Sequence, residues 1–277
     1  MIKVSNLISF TIAILILFQF SCSDSENNNH INSQSILIYG DSRTDHTTHQ
    51  NIVDAMLEKL PTVVFHTGDL VEDGLNSEHW NIFNEITSEL IDSADFYPAL
   101  GNHELNSQLY FDNFDLPNNE RWYSVDIDKI HFIVLDSNSD TYIGSRQYLW
   151  LETDLQNISD YIIFTIAIFH HPPFSTGPHI EDEMNLRHTI IPLFEHYGVD
   201  VVFNGHDHAY ERSLYNDIYY IVSGGGGAPL YDQARTSPYS QVFIKSYHFC
   251  HLSISNNKLY VMALDIDSNL IDEFIVD

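Results

Sequence analysis

The chain has 277 residues, 44% hydrophobic and 13% aromatic, which suits a folded domain with a substantial core and excludes a disordered chain. Its 39 acidic residues against 11 basic ones give a formal charge of −28. A surface that negative repels polyanions, so a nucleic-acid-binding role lacks its usual basic footprint.

In chain order, Lys3 precedes an apolar run from Leu7 to Phe20, shorter than the roughly 20 residues of a membrane-spanning helix. It ends at Ser21-Cys22, so residues 1–21 read as a lipoprotein-type signal peptide and the polar residues 22–34 as a tether. The expectation is an extracytoplasmic protein held to a bacterial membrane only by a lipid on Cys22, with ordinary secretion and cleavage nearby as the alternative. Only Cys250 is left in residues 35–277, so no disulfide is expected inside that single domain.

The domain begins with a β-branched run, Ser35 to Gly40, that stops at Asp41. Apolar residues at helical spacing (Ile52, Val53, Met56, Leu57, Leu60) predict a helix over 47–60, ended by Pro61. A second run, Thr62 to Gly68, stops at Asp69; a second helix follows over 77–91, with Trp80, Phe83, Ile86 and Leu90 on one face. A third run, Phe96 to Gly101, stops at Asn102-His103. Trp122 to Leu135 alternates around Asp128-Lys129 and predicts a hairpin. After a helix over 147–155, the run Ile162 to Phe169 stops at His170-His171, and after a helix over 186–197 the run Val199 to Gly205 stops at His206-Asp207-His208. Tyr219 to Ser223 reads as a strand before four glycines, Gly224 to Gly227, and two last strands meet at Asn256-Asn257. The pattern predicts an α/β fold of two mixed β-sheets packed as a sandwich and flanked by helices.

Five buried strands therefore end at residues that bind metals, and functional groups gather at the carboxyl ends of strands in open α/β sheets. A carboxylate has two oxygens, so Asp69 is suited to bridge two cations. Asp41 and His208 would complete one ion's donors; Asn102, His170 and His206 would complete the other's. Singly each is weak evidence, since an Asp beside a Gly is more often a turn and a lone His more often a satisfied core residue. Together they point to a dinuclear metallohydrolase.

Gly40-Asp41, Gly68-Asp69, Gly101-Asn-His-Glu104, His170-His-Pro-Pro and Gly205-His-Asp-His-Ala-Tyr-Glu-Arg212 resemble the calcineurin-like metallophosphoesterases. The last octet is similar to the catalytic domain of purple acid phosphatases. The resemblance implies ferric-site ligands Asp41, Asp69 and His208 and divalent-site ligands Asp69, Asn102, His170 and His206. It also implies a phosphate-contacting His103 that assists the leaving group, and a second substrate-facing histidine at His179. Two ions of iron, manganese or zinc, and a small phosphate ester as substrate, come with it.

The sequence departs from the family where its iron-binding tyrosine is expected, which here is Glu72, and in the first motif, which reads Asp-Ser-Arg. Glu72 is thus a candidate metal ligand, and Arg43 either a phosphate clamp or an arginine paired to an acid. His49 is a possible replacement ligand but, at the start of a helix, is expected to face water. His66 reads as a satisfied core histidine, and His171 with its two prolines as a loop-shaping element. The four glycines read as a tight or mobile loop. The functional expectation is a phosphomonoesterase of the acid phosphatase kind. A phosphodiesterase acting on cyclic nucleotides or glycerophosphodiesters is the alternative on the same site, and a non-catalytic surface binding lipoprotein the alternative of another class.

Overall fold

The computed structural model describes residues 34–277. The leader, Cys22 and the tether up to residue 33 lie outside the described residues. Within them, six strands form one mixed sheet and seven form another. The first sheet holds β1 (Ile36–Tyr39), β2 (Val63–His66) and β3 (Asp95–Pro98) in parallel, and extends from β1 through antiparallel β11 (His248–Ser255), β12 (Lys258–Asp265) and β13 (Leu270–Val276). The second runs β10 (Ser240–Ile244), β8 (Tyr210–Tyr215), β9 (Ile218–Ser223), β7 (Val201–Asn204), β6 (Phe164–Ile168), β5 (Ile130–Val134), β4 (Tyr123–Ile127).

Alternation along each strand explains the layering. Ile36, Ile38, Val63 and Phe65 point to the same core as Phe132, Val134, Ile166, Ile168 and Phe203, which is the space between the sheets. Leu37, Tyr39 and Val64 point the other way, onto α1 (His46–Leu57) and α2 (Ser77–Ser93). Ile133, Ala167, Phe169 and Val202 back onto α4 (Arg146–Gln156) and α5 (Ile191–Tyr197). Two mixed sheets with flanking helices are thus what the sequence pattern predicted.

The boundaries hold to within a few residues, and the hairpin turns at Asp128 with a positive φ of 52°. Asn256 and Asn257 both adopt the left-handed conformation between β11 and β12. The helix expected over 186–197 is divided into a 3-10 turn, Leu186–His188, and α5. Pro192 has no amide hydrogen to give the carbonyl four residues back, so a continuous helix is interrupted there. Four elements carry no label in the sequence reading: β8, β10, β13 and α3 (Gln108–Asn113). Among the described residues no helix is long and apolar enough to cross a membrane.

Candidate metal centre

The loops leaving β1, β2, β3, β6 and β7 meet at one rim. Their backbone turns sharply: Asp41, Asp69 and His206, each directly after a glycine, have φ of 56°, 58° and 70°. Asp and His tolerate this left-handed region better than branched residues, and the conformation swings each side chain back toward the strand ends. The glycines are needed for closeness. A Cβ on Gly101 would lie 2.2 Å from Asp69 Oδ1, and one on Gly205 2.4 Å from Asp41 Oδ2.

His170, 0% exposed, presents its Nδ1–H to the Thr67 carbonyl at 3.0 Å. That bond leaves Nε2 as a bare lone pair. Around it lie Asn102 Oδ1 at 2.9 Å, His206 Nδ1 at 3.2 Å and Asp69 Oδ1 at 3.4 Å. His206 Nδ1 also lies 3.1 Å from Asn102 Oδ1. With the His206 proton on Nε2, 3.4 Å from Glu183 Oε2, these atoms are acceptors facing acceptors, an arrangement that asks for a cation. Burial, then neighbouring histidines, hold His170 well below the usual imidazole range and His206 down at about 2, so both rings are neutral donors of electron pairs.

A second donor set lies beside it. The Nδ1–H of His208 donates to the Pro229 carbonyl at 2.8 Å, and its Nε2 lies 3.5 Å from Asp41 Oδ1. Burial, and then the Asp69 charge, raise Asp41 well above the usual carboxylate range. Among the described residues, two groups of atoms are tight enough to hold an ion: Asp41, Asp69 and His170, and His170, His171 and His206. Seen from its donor atoms the rim fits metal, and an ion bound there would supply Lewis acidity toward phosphoryl oxygens and water.

Arg43 and Glu72 are joined to each other. Arg43 Nη1 donates to Glu72 Oε2 at 2.8 Å and Nε to Asp69 Oδ2 at 3.3 Å. The Arg43 side chain is only 13% exposed, so the acid-paired reading describes it, although at the centre of the rim instead of on the surface. His103 donates its backbone N–H to Asp69 Oδ1 and its Nδ1–H to the Glu72 carbonyl, at 3.0 and 2.7 Å. Its Nε2 is left 3.9 Å from Asp69 Oδ2, at the mouth of the site. His179 stacks on His206 at 3.9 Å between centroids and is oriented by Asp207, 2.8 Å from its Nδ1.

His49 does not face water. It is 1% exposed, 3.3 Å from the Tyr39 hydroxyl and stacked on Phe83, because it falls on the face of α1 that packs against the sheet. His66 is a core histidine as expected, bonded to Ser42 Oγ and the Gly68 amide. The four glycines form a close-packed turn, with Gly226 N–H bonded to the Gly40 carbonyl.

Three residues escaped the sequence reading. His171 belongs to one of the ion-sized groups; the backbone N–H of His171 donates to Ser137 Oγ, whose hydroxyl is then directed at Nδ1 at 2.8 Å. The doublet of adjacent histidines was the available signal. Asp207 sits between two candidate ligands and orients His179. Glu104, 0% exposed, accepts the backbone N–H groups of Gly101, Asp69, Leu70 and Val71; burial, then Asp69, push its carboxyl up to about 8.

A model of the calcineurin-like phosphoesterase family matches residues 35–210. Similar proteins include purple acid phosphatase 15 of Arabidopsis thaliana, 30% identical over 173 residues, which cover 53% of this chain and 32% of that protein. A nucleotide pyrophosphatase/phosphodiesterase of Hordeum vulgare is 25% identical over 276 residues, covering 82% of this chain and 75% of its own. The chain therefore spans about a third of the Arabidopsis relative, 32% of its length. The structure of purple acid phosphatase PPD1 from yellow lupin (Lupinus luteus) seeds aligns with a TM-score of 0.78 at 20% identity, covering 88% of this chain and 54% of that one, a likeness of fold.

Proposed function

The chain belongs to the calcineurin-like phosphoesterase family, and from that premise we propose that it is a metal-dependent phosphoric ester hydrolase acting on small monoesters. One observation carries the reading: Asn102 Oδ1, His206 Nδ1 and Asp69 Oδ1 converge on the His170 lone pair at 2.9, 3.2 and 3.4 Å. When bound there, a divalent ion supplies Lewis acidity toward a phosphoryl oxygen and toward water. Asp69 and Asn102 would hold it through oxygen, His170 and His206 through nitrogen.

The other residues of the rim act directly on the ester. His103 is clamped at Nδ1 by the Glu72 carbonyl, which aims Nε2 outward to hold a proton for the departing alkoxide. His179, fixed by Asp207 and stacked on His206, would offer a hydrogen bond to a phosphoryl oxygen. We further place the enzyme outside the cytoplasm, tethered through a lipid on Cys22.

A diester reading draws support from the Hordeum vulgare relative, named as a phosphodiesterase and aligned over most of the chain. A cleft of about 250 Å³ opens at Asn102 and is lined by Arg121 and Asn138, room for a second substituent on phosphorus. Hydrolysis of p-nitrophenyl phosphate and bis(p-nitrophenyl) phosphate, after loading with manganese, zinc or ferrous iron, tests both readings. The monoester should be turned over faster. Faster diester turnover would reverse the assignment, and no metal-dependent hydrolysis of either would end it.

A further inference from the structure

We propose that Arg43 takes the place of a cation in the second donor set, so that this chain carries one metal ion with a guanidinium as its permanent companion charge. The proposal deepens the phosphoesterase reading and rests on it. The second set consists of the His208 lone pair, Asp41 and Asp69, and it already faces a positive charge. Arg43 Nη2 lies 3.4 Å from His208 Nε2, Nε 3.3 Å from Asp69 Oδ2 and Nη1 2.8 Å from Glu72 Oε2. A guanidinium does not lose its proton in proteins, so it cannot yield a lone pair to a metal. An ion on His208 and the outer oxygen of Asp69 would need Arg43 to leave.

Two features hold it in place. Glu72 is a carboxylate bonded to both Arg43 and the Thr44 hydroxyl, the latter at 2.5 Å. Thr44 has a φ of 80°, a region that a β-branched residue enters only where its surroundings impose it. That turn goes with the Thr44 hydroxyl on Glu72, whose other bond holds Arg43.

The arrangement has a use in the reaction. Of the five N–H groups of a guanidinium, Nε is on Asp69, Nη1 is on Glu72 and Thr44, and one of Nη2 is on His208. The second Nη2 hydrogen is available to an anionic phosphoryl oxygen. Arg43 would then do by hydrogen bonding what a second ion does by coordination.

The test counts ions on the full chain. After equilibrium dialysis against manganese, the wild type should hold one ion and give the six-line electron paramagnetic resonance spectrum of isolated Mn²⁺. Arg43→Ala, and Arg43→Met with a stem of similar length, should each hold two ions and show a spin-coupled pair. Two ions in the wild type overturn the proposal, and so does one ion in folded variants. If both variants fail to fold, the wild-type count decides alone. Two ions with hydrolysis would remove this proposal and leave the phosphoesterase reading intact; no bound ion and no hydrolysis would remove both.

Discussion

Glu104 is the residue whose loss should unsettle the site most while touching no substrate. Its carboxylate lies 2.6 Å from Gly101 N, 3.0 Å from Asp69 N, 2.8 Å from Leu70 N and 3.3 Å from Val71 N. It thereby ties the loop after β2 to the loop after β3, the two that deliver Asp69 and Asn102. Each stranded buried donor costs about 1–3 kcal/mol, reduced where water can follow into the vacated space. Glu104→Ala should therefore lose about 3–5 kcal/mol of stability, and Glu104→Gln about half of that, because its amide oxygen serves two of the four donors. Urea titration measures the difference as a shift in midpoint at constant slope. Metal affinity of Glu104→Gln should fall as well, since Asp69 and Asn102 lose their common anchor. A Gln variant within about 0.5 kcal/mol of wild type, with unchanged metal affinity, would show that the four bonds do not hold the rim together.

His103→Ala should keep the metal and lose about 100- to 10,000-fold in rate on esters with basic leaving groups; the deficit should shrink for p-nitrophenolate, and an equal deficit across leaving groups would point to positioning only. Asp69→Asn should cost more bound metal than loss of Asn102, His170 or His206, because Asp69 is the one carboxylate of the set around the His170 lone pair; metal analysis showing wild-type content would refute this. His131 lies between Asp154 and Asp126, at 2.8 and 2.6 Å; burial opposes its charge, but the two carboxylates outweigh it and the ring titrates above the ordinary value. A raised histidine stabilises fully below its unfolded pKa of about 6.5 and loses that contribution as pH rises through the folded value, so His131→Asn should be more destabilising at pH 5.5 than at pH 8.5, and a pH-independent loss would count against it. Cys22→Ser should move the protein from membranes to the soluble fraction without changing turnover; identical fractionation of wild type and variant, with no lipid label on either, would exclude the anchor.

The framework was legible because burial leaves a strong trace. A strand covered on both faces must be apolar almost throughout, so β1, β2, β6 and β7 stand out as runs, and the residue that stops each run marks the rim. The strands that were missed have one face partly open. In β13, Leu270 is 51% and Ile275 45% exposed, and β10 has no fully buried residue, so neither alternates cleanly enough to separate from a loop. β8 begins with Tyr210-Glu-Arg, whose polar groups are accounted for only in three dimensions: Tyr210 and Arg212 both bond Asp272 on β13, at 2.7 Å each.

What could not be read was which side chains answer one another across the rim. The first turn of a helix is usually exposed, yet the turn of α1 that carries His49 lies beneath Tyr39 and beside Phe83. Glu72 and Arg43 are 29 residues apart, and no local pattern pairs them. Taken one at a time, Glu72 reads as a replacement ligand and Arg43 as a phosphate clamp or an arginine paired to some acid. Only their mutual bond, made over Asp69 and beside His208, turns two departures from a family motif into one substitution of charge. A carboxylate at position 72 makes sense where an arginine stands at position 43: Glu72 and Asp69 hold the guanidinium between them, so substitutions at 43 and 72 should be interpretable only as a pair.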